Sequence, residues 1–226
     1  MEKVTSKKII KLLIICGILA SINYILADLI TAMFYSGYSY TDQAISELSA
    51  IGAPTSNMWS ILTFLFSPLI IAFGIGVFLS AGKKHSLSIA GILLALWGVS
   101  GYAWKFFPMN MRGNIGSVSD TGHLVLSALT VLLLTLFISF GSGAKGKKFR
   151  IYSILTILLM LFFGFLVGTM APKVAANEPT PWMGIFERIS VFSPMIWIIV
   201  LAIVLLRKES KIRLGKINNI NKKDKS

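Results

Sequence analysis

The sequence predicts an all-α, polytopic membrane protein of six transmembrane helices, and three observations carry that expectation. Hydrophobic residues make up 55% of the 226, with mean hydropathy +0.76. They fall in runs of the ~20 residues that a helix needs to cross about 30 Å of hydrocarbon. Finally, the charged residues collect between these runs, with lysine and arginine concentrated in alternate connections. No stretch is left over for a soluble domain. Residues 1–206 therefore read as one transmembrane domain and 207–226 as a basic, disordered tail.

Span one, 9–34, follows the basic start MEKVTSKKIIK. Its apolar run is too long for a signal-peptide core and no A-x-A-like cleavage site follows, so it reads as a span. It contains the single cysteine, Cys16, which excludes an internal disulfide framework and a Cys-rich metal site. The connection SYTDQAISELSAIGAP, Ser39 to Pro54, predicts a short interfacial helix over 41–51. At 100° per residue Ala44, Ile45, Leu48 and Ile51 form an apolar arc, and Asp42, Ser46 and Ser49 share another face. Glu47 lies on the border of the arc and is positioned to turn into the bundle. The alternative has Asp42 capping this helix and Glu47 in water.

Span two, 57–80, carries Phe66-Ser67-Pro68, and span six, 184–206, carries Phe192-Ser193-Pro194. Proline at comparable depth predicts a kink in both. Spans three to five are 87–107, 121–141 and 150–171. Asp120 or Ser119 caps span four, placing His123 in its first turn, where the positive helix end favours a neutral imidazole. In span five Gly164-x-x-x-Gly168 permits close helix approach. Span six opens with Glu187-Arg188, which point about 100° apart and need separate partners. Arg188 is expected to meet Glu47 or Asp42, and Glu187 to meet His123 or Lys105; a pair reaching to water at the interface is the alternative. Trp59, Trp104 and Trp182 fall at one membrane boundary, as an aromatic belt would.

Formal net charge is +13. All but four of the 22 basic residues fall in the N-terminal stretch, the two-to-three and four-to-five connections and the tail. That asymmetry predicts both termini in the cytoplasm, and it accounts for the charge without nucleic acid. The four exceptions, Lys105, Arg112, Lys173 and Arg188, fall with Asp42, Glu47, Asp120, Glu178 and Glu187 on or near the other side; Asp28 lies in the outer part of span one. Function is therefore expected to face outward.

Motifs for zinc proteases, nucleophile elbows, P-loops and dinucleotide sites are absent from the sequence. One outward histidine cannot build a three-His zinc site, and neither a metal nor a cofactor is expected. The ordered set Asp42, Ile45-Ser46-Glu47-Leu48, Gly52-Ala53-Pro54, Phe107-Pro108, Gly122-His123-Leu124, Ser127, Gly184-Ile185-Phe186-Glu187-Arg188 and Trp197 resembles the bacterial and archaeal membrane proteins grouped as domain of unknown function 998. Asn110 departs from the acidic residue that pattern carries after Phe-Pro. The resemblance implies a fold, a topology and the plasma membrane of a prokaryote, without an activity.

The leading functional expectation is a protein that binds a lipid or other amphiphile in a polar-lined, outward-opening cleft. Asp42, Ser46, Glu47, Lys105, His123, Glu187 and Arg188 would line it, with Arg188 or Lys105 available for an anionic head group. An intramembrane hydrolase with His123 or Glu47 as general base is a second expectation, and a structural or accessory subunit a third. A transporter fits less well, because polar residues do not continue into the inner halves of the spans.

Overall fold

The computed structural model describes the backbone of residues 2–223 and the side-chain surroundings of residues 7–207. Eight α-helices are present among them: α1 (Glu2–Phe34), α2 (Ser56–Leu62), α3 (Phe66–Ser80), α4 (His85–Ser100), α5 (Val118–Gly141), α6 (Lys147–Thr169), α7 (Ala171–Ala175) and α8 (Met183–Lys223). Six segments are long and apolar enough to cross a membrane: Lys7–Phe34, Ser56–Ser80, His85–Lys105, Val118–Ala144, Lys147–Thr169 and Met183–Arg207. The expected six-helix architecture is present. α8 runs on past its span as far as Lys223. Residues 224–226, and the side chains of 208–223, which form most of the expected tail, lie outside the described residues.

The helices form a ring in which α1 packs between α3 and α8, α4 covers α3, α5 covers α4, and α6 covers α8. Small residues set the tightest seam. A Cβ at Gly74 would lie 2.6 Å from the Ala95 backbone nitrogen, and one at Gly91 2.6 Å from that of Phe78. Only glycine lets α3 and α4 approach so closely, and close backbone approach is how helices associate without a hydrophobic drive between them. The core centres on Trp197 of α8, fully buried between the rings of Phe137 and Phe149. Its indole N–H donates to Ser153 Oγ at 2.8 Å, which satisfies a buried donor that lipid could not.

The two Phe-Ser-Pro motifs part company. Span two is broken, with α2 ending at Leu62 and α3 starting at Phe66. Pro68 has no N–H to bond the Phe64 carbonyl, and its ring crowds that group, so the helix opens just upstream. Asn23 of α1 donates Nδ2–H to the Leu62 carbonyl at 2.9 Å, supplying a partner at the break. Pro194 instead sits inside a continuous α8. There the Ser193 hydroxyl donates to the Ser190 carbonyl, the group that proline leaves without its helical donor. A Cβ at Gly164 would lie 3.1 Å from Ser190 Oγ across the α6–α8 seam, whereas nothing lies within 4 Å of a Cβ at Gly168. Only the first glycine of that pair serves helix packing.

Candidate functional site

At one end of the bundle residues 35–55 fold back over the helices as a strap. The helix expected over 41–51 is shorter than its arc implied: a single 3-10 turn, Ile45–Ser49. Ala44, Ile45 and Leu48 are buried as expected, but Ile51 is exposed. The reason is a tertiary contact, since Ile51 leaves the turn and its N–H donates to the Met109 carbonyl at 2.8 Å. Asp42 does not cap the turn. Glu47 reaches back to the Ala44 N–H at 2.9 Å, while Asp42 accepts from the Trp182 N–H at 2.9 Å and the Ser39 hydroxyl at 2.8 Å. These two donors, Trp182 first, hold the Asp42 carboxyl below its ordinary range.

Beneath the strap lies a buried ion pair. Arg188, 4% exposed, grips Asp28, which is fully buried, in a two-point bond: Nε to Oδ2 at 3.0 Å and Nη2 to Oδ1 at 2.9 Å. Its remaining N–H groups go to the strap and to its own helix. Nη2 donates to the Tyr38 hydroxyl at 2.9 Å, and Nη1 to the carbonyls of Tyr40, Gln43 and Gly184. The Tyr40 ring stacks on the guanidinium, 3.5 Å from centroid to Cζ, and its hydroxyl donates to Asp28 Oδ2 at 2.8 Å. Burial, and then the bond to Asp28, push the Tyr40 phenol up to about 12. Gly184 admits this arrangement, because a Cβ there would run into the carbonyls of Tyr40 and Gln43.

A second two-point pair joins Glu47 to Arg112, Nε to Oε2 at 2.8 Å and Nη2 to Oε1 at 2.9 Å. Glu47 is 2% exposed and also accepts from Gln43 Nε2. Arg112 reaches the Glu178 carbonyl and the Thr180 hydroxyl, and Thr180 in turn donates to the Asp42 carbonyl at 2.7 Å. The hydrogen bonds to Glu47 raise the Arg112 guanidinium above its ordinary value. Three connections are thus locked together: the strap, 106–117 and 176–182.

These contacts revise the expected partners. Arg188 meets Asp28, six residues before the end of α1, rather than Glu47 or Asp42. Glu187 accepts from the Ile45 N–H of the strap, not from His123 or Lys105. His123 stands apart, its Nδ1 bonded to the Phe107 carbonyl at 3.1 Å and its ring edge-on to Trp104 with centroids 4.7 Å apart. A neutral imidazole that donates from Nδ1 keeps Nε2 as an acceptor. The cap of α5 is Ser117 rather than Ser119 or Asp120. Ser117 Oγ accepts from the Asp120 N–H, and Asp120 Oδ2 accepts from the Ser117 N–H at 2.9 Å. Asp120 also accepts from the Gly116 N–H and from both the backbone and side-chain nitrogens of Asn110. Ser46 offers its carbonyl to Ser49 Oγ. Lys105 is exposed, its Nζ 5.6 Å from the Phe64 ring centroid.

Two central residues, Asp28 and Arg112, were not among the expected site residues. Asp28 carried a usable signal, since a carboxylate within a span must find a buried partner. Arg112 carried none, because its pairing with Glu47 joins connections 65 residues apart.

Two recesses border this frame. A cleft of about 360 Å³ opens beside the strap, lined by Ser39, Asp42, Gln43, Arg112, Thr180 and the prolines on either side of Thr180. A groove of about 380 Å³, almost wholly apolar, lies on the first turns of α5 among Phe107, Val118, Thr121, Gly122, Val125 and Leu126. Among the described residues, no three His, Cys, Asp or Glu side chains come together to hold a metal ion.

Six membrane-length helices around an apolar core, with buried ion pairs tying one set of connections, define a multi-pass helical membrane protein. The chain belongs to the family described as protein of unknown function (DUF998), whose model matches residues 18–204. No curated protein and no solved structure matches it.

Proposed function

We propose that this protein binds a lipid or other amphiphile at the strap end of its bundle, with that end facing outward and both termini in the cytoplasm. The apolar groove on α5 carries the reading. It lies where the span Val118–Ala144 begins, so it meets hydrocarbon on its open side and the interfacial region at its rim. Val118 and Val125, 84% and 62% exposed, face that recess without protein cover.

The polar network takes a different part from the one its residue types suggested. Arg188, Glu47 and Asp42 already hold partners within the chain, so they act as a rigid frame instead of direct ligand contacts. Preorganisation of this kind lowers the ordering cost of binding. It also supports an accessory or structural role as the second reading. Hydrolysis draws less support, because both oxygens of Glu47 are bonded to Arg112.

Filling the groove tests the proposal. The variant Val125→Trp, reconstituted in vesicles, is exposed to phosphatidylcholine bearing a photoreactive acyl chain, and labelled peptides are mapped by mass spectrometry. Labelling of segment 107–126 should fall several-fold relative to the lipid-facing stretch 155–162 of α6. Equal labelling of 107–126 in the variant and the wild type would refute groove occupancy.

A further inference from the structure

The cleft beside the strap gathers polar groups that the frame leaves with bonding capacity to spare. It holds about 360 Å³, and Asp42, Gln43 and Arg112 are in its wall. It lies just outside the spans: Pro181 comes two residues before Met183, which begins one, and Ser39 five residues after Phe34, which ends another. Thr180, 2% exposed, ties the two charged residues together, accepting from Arg112 Nη2 at 3.1 Å and donating to the Asp42 carbonyl at 2.7 Å. The wall is therefore fixed before any ligand arrives.

The two charges differ in what they have left to offer. Arg112 is neutralised by its two-point bond to Glu47. Thr180 takes the other N–H of Nη2, and the Glu178 carbonyl takes one of the two on Nη1. The second Nη1–H has no acceptor among the described residues, and neither has the second N–H of the Gln43 amide, whose first goes to Glu47 at 2.9 Å. Asp42 keeps its charge instead. It is bonded by neutral donors, the Trp182 N–H and the Ser39 hydroxyl, and among the described residues no cation pairs with it. A carboxylate has about four lone-pair sites, so acceptor capacity remains beyond these two bonds.

An uncompensated carboxylate and two unused N–H donors thus share one recess. A primary ammonium supplies N–H groups to the first, and a phosphate oxygen attached a few bonds away accepts from the second. A quaternary ammonium has no N–H to give, and no aromatic ring lines the cleft to receive it instead. A lone anion meets an arginine already neutralised by Glu47, with the charge of Asp42 opposing it.

The geometry points to this cleft as a site for a zwitterion built like a phosphoethanolamine head group, its ammonium on Asp42 and its phosphate on Arg112 and Gln43. The same chemistry is presented by a membrane lipid and by a free head group. The cleft shares no lining residue with the α5 groove, so the inference stands apart from the binding proposed there. Asp42 serves the frame through its carbonyl and the two acceptor positions already filled, and offers the cleft what remains.

The test uses the full chain in a maltoside detergent with two soluble probes at equal concentration, glycerophosphoethanolamine and glycerophosphocholine. Saturation-transfer NMR, read on the glycerol protons that both probes share, reports their contact with the protein. Transfer to glycerophosphoethanolamine should be about threefold the stronger, the scale of an exposed charged contact. Asp42→Asn removes the charge but keeps an oxygen for the Trp182 N–H, and should bring the ratio near one at an unchanged melting temperature. Native mass spectrometry with phosphatidylethanolamine and phosphatidylcholine then identifies the source. An excess of bound phosphatidylethanolamine assigns the lipid, equal numbers assign the free head group, and either supports the site once the soluble preference is seen. Equal transfer from the two probes in the wild type, or a ratio unchanged in folded Asp42→Asn, overturns it. The wild-type comparison needs no variant and decides alone if Asp42→Asn does not fold.

Discussion

Replacing Asp28 by alanine removes both acceptors that hold the Arg188 guanidinium. Arg188 cannot simply turn to water, because it is 4% exposed and the Tyr40 ring covers it at 3.5 Å. Breaking a buried pair from one side costs ~3–5 kcal/mol, chiefly for the charge left uncompensated. For a chain of this size each kcal/mol corresponds to ~2–4 °C, so the variant should melt roughly 10 °C lower. The comparison is Glu178→Ala, whose carboxylate lies on an exposed residue and whose loss belongs in the ±0.5 kcal/mol range of surface changes. Melting followed in detergent by fluorescence-detected size exclusion reads both. The double variant Asp28→Leu/Arg188→Met then separates the worth of the pair from the cost of breaking it. It should recover part of the loss and not all, because the carbonyls of Tyr40, Gln43 and Gly184 lose their guanidinium donor. Limited proteolysis gives an independent reading, since the strap should be cut faster in the single variant than in the wild type. Asp28→Ala melting within 2 °C of Glu178→Ala, with strap cleavage unchanged, would refute the latch.

Glu47→Ala should also destabilise more than Glu178→Ala but less than Asp28→Ala, by about 1–3 kcal/mol, because Arg112 is 17% exposed and regains some water; equal melting temperatures for Glu47→Ala and Glu178→Ala would contradict this. Tyr40 ties stability to alkaline pH: its phenol is raised from 10.0 to about 12 in the fold, so its contribution is complete below pH 10 and is lost as pH rises through about 12. Chemical denaturation between pH 9 and 12 should show that loss in the wild type and a shallower one in Tyr40→Phe. In a Cys16→Ala background, cysteines at Ser36 or Asn114 should react with an impermeant thiol reagent in intact cells, and one at Ser142 should not; the reverse pattern would invert the proposed orientation. His123→Asn should keep much of any cellular phenotype if the protein binds a ligand, whereas a folded, abundant and wholly inactive variant would favour hydrolysis.

The six spans were readable from the sequence because hydrocarbon imposes a length and an apolar composition on each crossing segment independently of its neighbours. The same holds for buried Ala44, Ile45 and Leu48, whose spacing alone marks an inward face. Local chemistry also located a cap near Asp120, although the two residues it offered, Ser119 and Asp120, lost the place to Ser117, which backbone geometry selects. Tertiary structure alone decided which charges meet. An arginine's spacing along the chain says that it needs a partner, not which one. Arg188 reaches Asp28 across 160 residues because α1 and α8 pack side by side, and Arg112 reaches Glu47 because the strap folds over the bundle beside its loop. The break in span two and the continuity of α8 at Pro194 divide in the same way. Each proline removes one N–H by its own chemistry, but what became of the helix turned on its surroundings: Asn23 from a neighbouring helix bonds the Leu62 carbonyl at the break in span two, and Ser193 bonds the Ser190 carbonyl within α8.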